Sequence, residues 1–245
     1  MKALLILLIF VYKFVQAAPP RSYSVILYHQ ANPPYSFVKA QNQEGIFIDI
    51  FREISILTNL EFEFVPLSVA RGKLYFEQGK VDIEPGISPI WRKNEHIQGL
   101  YSISYATSKE IIVSNQAREI KHISELYGQV IGKVRGYSYG VFDRYFGQNK
   151  LIAVDNKSEK MLVEQLFKNR FKYILIGEAT AAYYIANIER YRDFKKVFEI
   201  SEYPVAMRVH PQHAHLIPIL NHALRQLKSS GKIKSIYARY GYLIE

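Results

Sequence analysis

The chain has no cysteine in its 245 residues. That absence excludes disulfides, thiolate metal sites and a cysteine nucleophile, and it leaves the fold to stand on its core alone. Long apolar runs are missing too: a bilayer-spanning helix needs ~20 apolar residues, and residues 3–12, an apolar run at the start of the chain, fall short of that. No nucleophile elbow, phosphate-binding glycine loop or zinc-ligand spacing appears, so the usual sequence marks of catalysis are absent. Lys and Arg exceed Asp and Glu by 32 to 22, but the excess is spread along the chain rather than gathered in an arm. Without a nucleic-acid motif beside it, that charge reads as a solvated basic surface.

What is present is a globular mixture, 49% hydrophobic and 22% charged, enough to bury one large core or two modest ones. The chain starts with Lys2, an apolar run and then Val15-Gln16-Ala17, with small residues where a signal peptidase reads. Residues 1–17 are therefore expected to be a cleaved signal peptide and the mature protein to be periplasmic or secreted. Loss of Lys2 and Lys13 with that leader lowers the net charge from +10 to +8.

Residues 23–28 read as a β-branched strand, stopped by the turn chemistry of Asn32-Pro33-Pro34-Tyr35. The helical spacing of Ile50, Ile54 and Leu57 predicts a helix; a strand at 61–65, a helix at 70–78 closed by Gly79 and a strand at 81–83 follow. This alternation implies a parallel sheet. After an extended stretch at 109–114 the pattern begins again, with strands at 128–134, 151–154 and 173–176 and helices at 139–146 and 158–168. Ile131, Val134, Ile152, Leu162, Leu166, Ile174 and Ile176 are expected to face this second core. An extended crossover at 203–209 leads to closing helices at 216–227 and 233–240. The expectation is a two-lobed α/β fold with two hinge strands. Lobe 1 comprises residues 18–108 and 207–245, and lobe 2 comprises residues 109–206 with the crossovers. Ligands of open α/β sheets sit beyond the carboxyl ends of the strands, which places the site in the cleft between lobes.

Several motifs occur in a telling order: Asn32-Pro33-Pro34-Tyr35-Ser36-Phe37, Gly45-Ile46-Phe47-Ile48-Asp49-Ile50, Gly79-Lys80-Val81-Asp82 with Gly86-Ile87-Ser88 and Arg92, Tyr101-Ser102-Ile103-Ser104-Tyr105, Gly132-Lys133-Val134-Arg135-Gly136-Tyr137-Ser138, and Ser230-Gly231-Lys232-Ile233-Lys234-Ser235-Ile236-Tyr237. In them the chain resembles the family 3 extracellular solute-binding proteins, the amino-acid-binding components of bacterial ABC importers, over nearly the whole mature sequence. The resemblance implies a type II periplasmic-binding-protein fold. It also implies capture of an amino acid or related small carboxylate by hinge closure, a monomer without cofactor or metal, and an ABC permease or a membrane sensor as partner.

The candidate ligand residues each admit two readings. Tyr35 can form an aromatic wall, with Asn32 adding amide hydrogen bonds, or can pack on its own lobe. A guanidinium fork suits a carboxylate, and the resemblance assigns Arg92 to the ligand α-carboxylate, with Ser88 beside it as a donor. Pro89-Ile90-Trp91 before this arginine departs from the family pattern; Trp91 is a pocket wall or a lobe-packing residue. Some relatives place a cleft-facing arginine where Arg71 stands, which is otherwise an ordinary helix-surface residue. Tyr137 and Ser138 lie between a strand and a helix, where backbone N–H groups can meet an anion, or Ser138 can cap its own helix. Family members hold the ligand ammonium with an aspartate after the strand that here ends at Ile176. Gly177-Glu178 stands there instead, so Glu178 either supplies the charge or caps the next helix. His210, His213, His215 and His222 lack a metal-ligand pattern. The rival classes are a dehydratase-like enzyme on the same fold and a ligand-sensing module for a membrane receptor.

Overall fold

The computed structural model describes residues 22–28, 32–37, 43–116 and 118–244; the expected signal peptide lies outside them. In the first lobe, β1 (Ser22–Tyr28) pairs in parallel with β2 (Glu61–Leu67) and β3 (Ile83–Ile87), and α1 (Ile46–Thr58) and α2 (Val69–Glu77) make the crossovers. Ser68 caps α2 by accepting the Arg71 N–H, and Asn59 ends α1 in the left-handed region at φ 60°. The short β4 (Leu100–Tyr101) leads to β5 (Ala106–Ser114). In the second lobe β6 (Val130–Val134) pairs in parallel with β7 (Ile152–Asn156) and β8 (Tyr173–Gly177), with α3 (Val141–Gly147), α4 (Glu159–Phe167) and α5 (Glu178–Asn187) around them. The long β9 (Lys195–Val209) returns to the first lobe, which α6 (Leu216–Ser229) and α7 (Lys232–Arg239) complete.

β5 and β9 are the shared elements. They run antiparallel from Ala106↔Val205 to Ser114↔Lys195, while the end of β9 also pairs with β3 and β5 also pairs with β8. The strand order is therefore β2-β1-β3-β9-β5-β8-β6-β7. Each lobe has its own core. Ile46, Ile50, Ile54, Leu220, Leu224 and Ile236 are fully buried in the first; Val134, Leu162, Leu166 and Ile174 are fully buried in the second, with Ile131 and Leu175 on the opposite face of its sheet.

Three sequence expectations need correction. Ile152 does not face the second core but is 48% exposed, because β7 is the edge strand and four of its five residues are open to solvent. The strand expected at 81–83 runs instead over Ile83–Ile87; Pro85 and Gly86 lie inside it, where its register against β9 shifts. The helix expected at 139–146 begins only at Val141 and runs to Gly147.

One glycine positions the mouth of the cleft. Gly45 has φ 134°, and a Cβ there would lie 2.6 Å from the Ser36 Cα. That close approach lets the carbonyls of Pro34 and Tyr35 accept the first N–H groups of α1, from Ile46 at 3.0 Å and Phe47 at 3.1 Å. Residues 32–37 are thereby pinned over the helix start.

Ile131 of the inner strand β6 and Ile152 of the edge strand β7 separate in stability. Ile131→Ala should cost about 2–5 kcal/mol, whereas Ile152→Ser should stay within roughly 0.5 kcal/mol, as read by urea unfolding.

Candidate functional site

Between the lobes lies a cavity of about 110 Å³. At ~10–15 Å³ for each water-sized position it holds a molecule of roughly seven to eleven heavy atoms. Tyr35 and Phe47 stack at 4.9 Å on the first-lobe side. Phe47 reaches the strand because position 86 is glycine; a Cβ there would lie 2.6 Å from its ring. Trp91, Arg92 and Tyr237 extend that wall, and Glu110 of β5, Tyr137, Glu159 and Thr180 close it from the other side. The lobes meet around this space, with Phe37 edge-on to Tyr183 at 5.4 Å and Trp91 edge-on to Tyr203 at 6.4 Å.

Arg92 lines the cavity but its fork faces inward. Its Nε and Nη2 donate to the Glu84 carboxylate at 3.3 and 2.8 Å, Nη2 also to the Tyr28 hydroxyl at 3.1 Å, and Nη1 to the Trp91 carbonyl at 3.3 Å. A guanidinium has five N–H donors, so one is left for the cavity. Arg208 pairs with the same carboxylate and also donates to the Gln98 carbonyl at 2.8 Å. Burial alone would raise the Glu84 carboxyl; Arg92, Arg208 and the Tyr28 hydroxyl outweigh it and bring it down to about 2. The Arg92 guanidinium is correspondingly held more firmly protonated than usual, Glu84 overcoming the opposing effect of burial.

The second lobe presents two other carboxyls. Glu110 is only 8% exposed, and its Oε2 has no hydrogen-bond partner. Burial, reinforced by nearby Glu159, pushes it up to about 8. Glu159 opens α4 and accepts the Gly177 N–H at 2.8 Å and the Thr180 hydroxyl at 3.3 Å. Burial raises it as well, against the lowering effect of the Gly177, Asn32 and Thr180 hydrogen bonds.

Of the residues singled out from sequence, Asn32, Tyr35, Trp91, Arg92, Tyr137 and Ser138 line the cavity together. Ser88 is buried and starts the turn Pro89–Arg92, its carbonyl accepting the Trp91 N–H, without reaching the cavity lining. Arg71 is exposed on α2, away from the cavity. Ser138 spends its hydroxyl on Asp143 at 2.9 Å, and α3 begins only at Val141, so an anion already occupies the turn where one was expected to bind. Glu178 lies outside the cavity: it holds Lys196 at 2.7 Å and the Tyr242 hydroxyl at 3.0 Å, tying the segment after α7 to the second lobe. Of the histidines, His213 pairs with Asp82 at 2.7 Å and His215 meets the Tyr23 hydroxyl at 3.0 Å. Among the described residues no His, Cys, Asp or Glu group is placed to hold a metal.

Sequence reasoning missed Glu84, Glu110 and Glu159. The signal for the first two was a carboxylate inside an apolar strand, as in Glu110-Ile111-Ile112-Val113, a pattern that demands a partner or a function. Glu159, behind the capping Ser158, looks like any acidic first-turn residue.

A family profile described as bacterial extracellular solute-binding proteins, family 3, matches residues 25–242. A search of curated sequences finds no match. Solved structures with this fold include ArgBP from T. maritima, 19% identical with TM-score 0.75 over 89% of this chain and 94% of that one. A histidine kinase sensor domain with similarity to periplasmic binding proteins is 18% identical, with TM-score 0.78 over 92% and 98% of the two chains. The substrate-binding protein of a Streptococcus pneumoniae ABC uptake transporter, with bound histidine, is 16% identical, with TM-score 0.76 over 89% and 92%.

Two stability predictions follow from the buried charges. Arg92→Ala should cost about 3–5 kcal/mol, measured by chemical unfolding, because it strips a buried carboxylate of its main partner. For Glu110 the sign is opposite: its carboxyl stays protonated in the folded chain up to about pH 8 but ionises near its ordinary value, 4.5, when unfolded. The unfolded chain then binds fewer protons, so the Glu110 contribution falls as pH rises between those values. Tm of Glu110→Gln should therefore gain on wild type by several degrees between pH 5 and pH 9.

Proposed function

Because the chain belongs to the family 3 bacterial extracellular solute-binding proteins, we propose that it captures an amino-acid-sized polar ligand between its lobes and delivers it to an ABC permease. The observation that carries this reading is the cavity lined from both lobes, with β5 and β9 crossing between separately cored halves. Opening about those strands admits the ligand, and contacts made from both sides favour the closed form. Asn32, Tyr35, Trp91, Arg92, Tyr137 and Ser138 are the wall residues that such a ligand meets, and its capture involves no covalent step. Ser88 acts behind the wall, while Glu178 latches the tail rather than the ligand.

The protein works outside the cytoplasm after loss of residues 1–17. Among the described residues no helix is long and apolar enough to cross a membrane. One observation supports a second reading: the likeness to a histidine kinase sensor domain covers 98% of that domain. The same closure would then be read by a membrane receptor instead of a permease. Transport of the ligand by a permease that depends on this protein separates the two.

A thermal-shift screen of amino acids, organic acids and amines tests the reading. A ligand at 100 times its Kd should stabilise by about 2.7 kcal/mol, raising Tm by roughly 5–10 °C. It should leave the assay chemically unchanged. Turnover of a hit would replace the binding role with an enzymatic one.

A further inference from the structure

The carboxylates of the second lobe say more about the ligand than the arginine of the first. We propose that the cleft recognises a small organic cation, an amine or guanidine, whose charged group sits between Glu110 and Glu159, and that the ligand needs no carboxylate. This rests on the solute-binding reading and narrows it.

The geometry is local and specific. Glu110 of β5 stands directly opposite Gly177 of β8 in the antiparallel register. Gly177 has no side chain, and a Cβ there would lie 3.4 Å from the Glu159 Oε1. Glu159 takes up that space from the start of α4, anchored by the Gly177 N–H and the Thr180 hydroxyl. Two carboxyls thus meet on one wall of the cavity, and Glu110 keeps a buried oxygen that nothing among the described residues satisfies. Such an oxygen is costly unless a donor reaches it. An ammonium or guanidinium supplies that donor and the opposite charge together.

The opposite wall fits the same ligand. Arg92 cannot offer a fork to a carboxylate without leaving Glu84, since only one of its N–H groups is uncommitted. Tyr35, Phe47, Trp91 and Tyr137 surround the space with aromatic faces, which favour an organic cation and its carbon chain.

Binding is linked to a proton. Besides burial, the group acting on Glu110 is Glu159 from α4; Tyr35 from the loop before α1 and Tyr137 and Tyr139 from the segment after β6 lie near it as neutral phenols held well above their usual range. The charged neighbours Lys109 and Glu178 are paired elsewhere, with Glu202 and Lys196. With its carboxyl raised to about 8, Glu110 would give up a proton to the buffer when a cation binds near pH 7. Affinity should rise from pH 6 to about 8 and then level off.

The test uses the mature protein with putrescine, agmatine, arginine, glutamate and succinate, by thermal shift and by calorimetry in two buffers of different ionisation enthalpy. Agmatine is arginine without its carboxylate and is the decisive probe. The proposal expects agmatine or putrescine to bind, with close to one proton released at pH 7 and almost none at pH 9.5. It expects Glu110→Gln, whose folding the Tm series checks, to weaken that binding at least tenfold and abolish proton release. Glu159→Gln should weaken it as well. Binding of arginine without agmatine or putrescine overturns the carboxylate-free ligand. Binding of glutamate or succinate with unchanged affinity in Glu110→Gln overturns the cation site while leaving the solute-binding reading in place. If none of the five compounds binds, the cation proposal falls; if the broader screen also gives no hit, the solute-binding reading falls with it.

Discussion

The Glu84 carboxylate is the constraint on which the first-lobe wall depends. It is fully buried, and it gathers Tyr28 from β1, Arg92 from the turn after β3 and Arg208 from β9. Removing such a charge from water is repaid only when its lone pairs are saturated by well-placed partners. Here they are, and the result is a brace joining three segments of lobe 1. Arg208 is held further by the carbonyls of Ile97 and Gln98 and lies on the Phe76 ring at 3.9 Å. The long segment between Arg92 and Tyr101 is fixed to β9 by these bonds.

That brace changes the meaning of the arginine in the cleft. A guanidinium at a cavity wall normally argues for an anionic guest, yet its capacity is divided among Glu84, Tyr28 and the Trp91 carbonyl. The charge is largely neutralised before a ligand arrives. Across the cavity the balance is reversed, with two buried carboxyls and the hydrogen bonds of Gly177 and Thr180 committed to only one of them. Polarity in the site is therefore better judged from the donors and acceptors that remain than from the residues that line it.

The fold was legible because periodicity and turn chemistry carry it. The alternation of β-branched strands with amphipathic helices gives both parallel sheets, and β5 and β9 stand out as extended segments between the two repeats. Ile152 was misread because apolar character cannot distinguish an edge strand from a central one. The site was only half legible. Arg92, Tyr35, Trp91 and Tyr137 sit in recognisable motifs, but which way a fork faces depends on Glu84, eight positions away and inside a strand. Glu159 was invisible for a related reason: its importance comes from the empty side-chain position at Gly177, which only the tertiary structure brings beside it.

The distribution of charge also bears on how closure is controlled. Glu110 and Glu159 are both buried in this arrangement, so the empty site must retain a proton or bear the repulsion between them. A ligand shifts this balance only through what it contributes to the closed state over the open one. A cation does so at the carboxyl pair of the second lobe, while its body meets Tyr35, Phe47 and Trp91 of the first. Neither set of contacts alone draws the lobes together. The Glu178–Tyr242 bond adds a tie between the tail and the second lobe that involves no ligand. Contact between the lobes thus has a part fixed by the protein itself, and the part left to a ligand is concentrated at Glu110, whose buried Oε2 lacks a partner among the described residues.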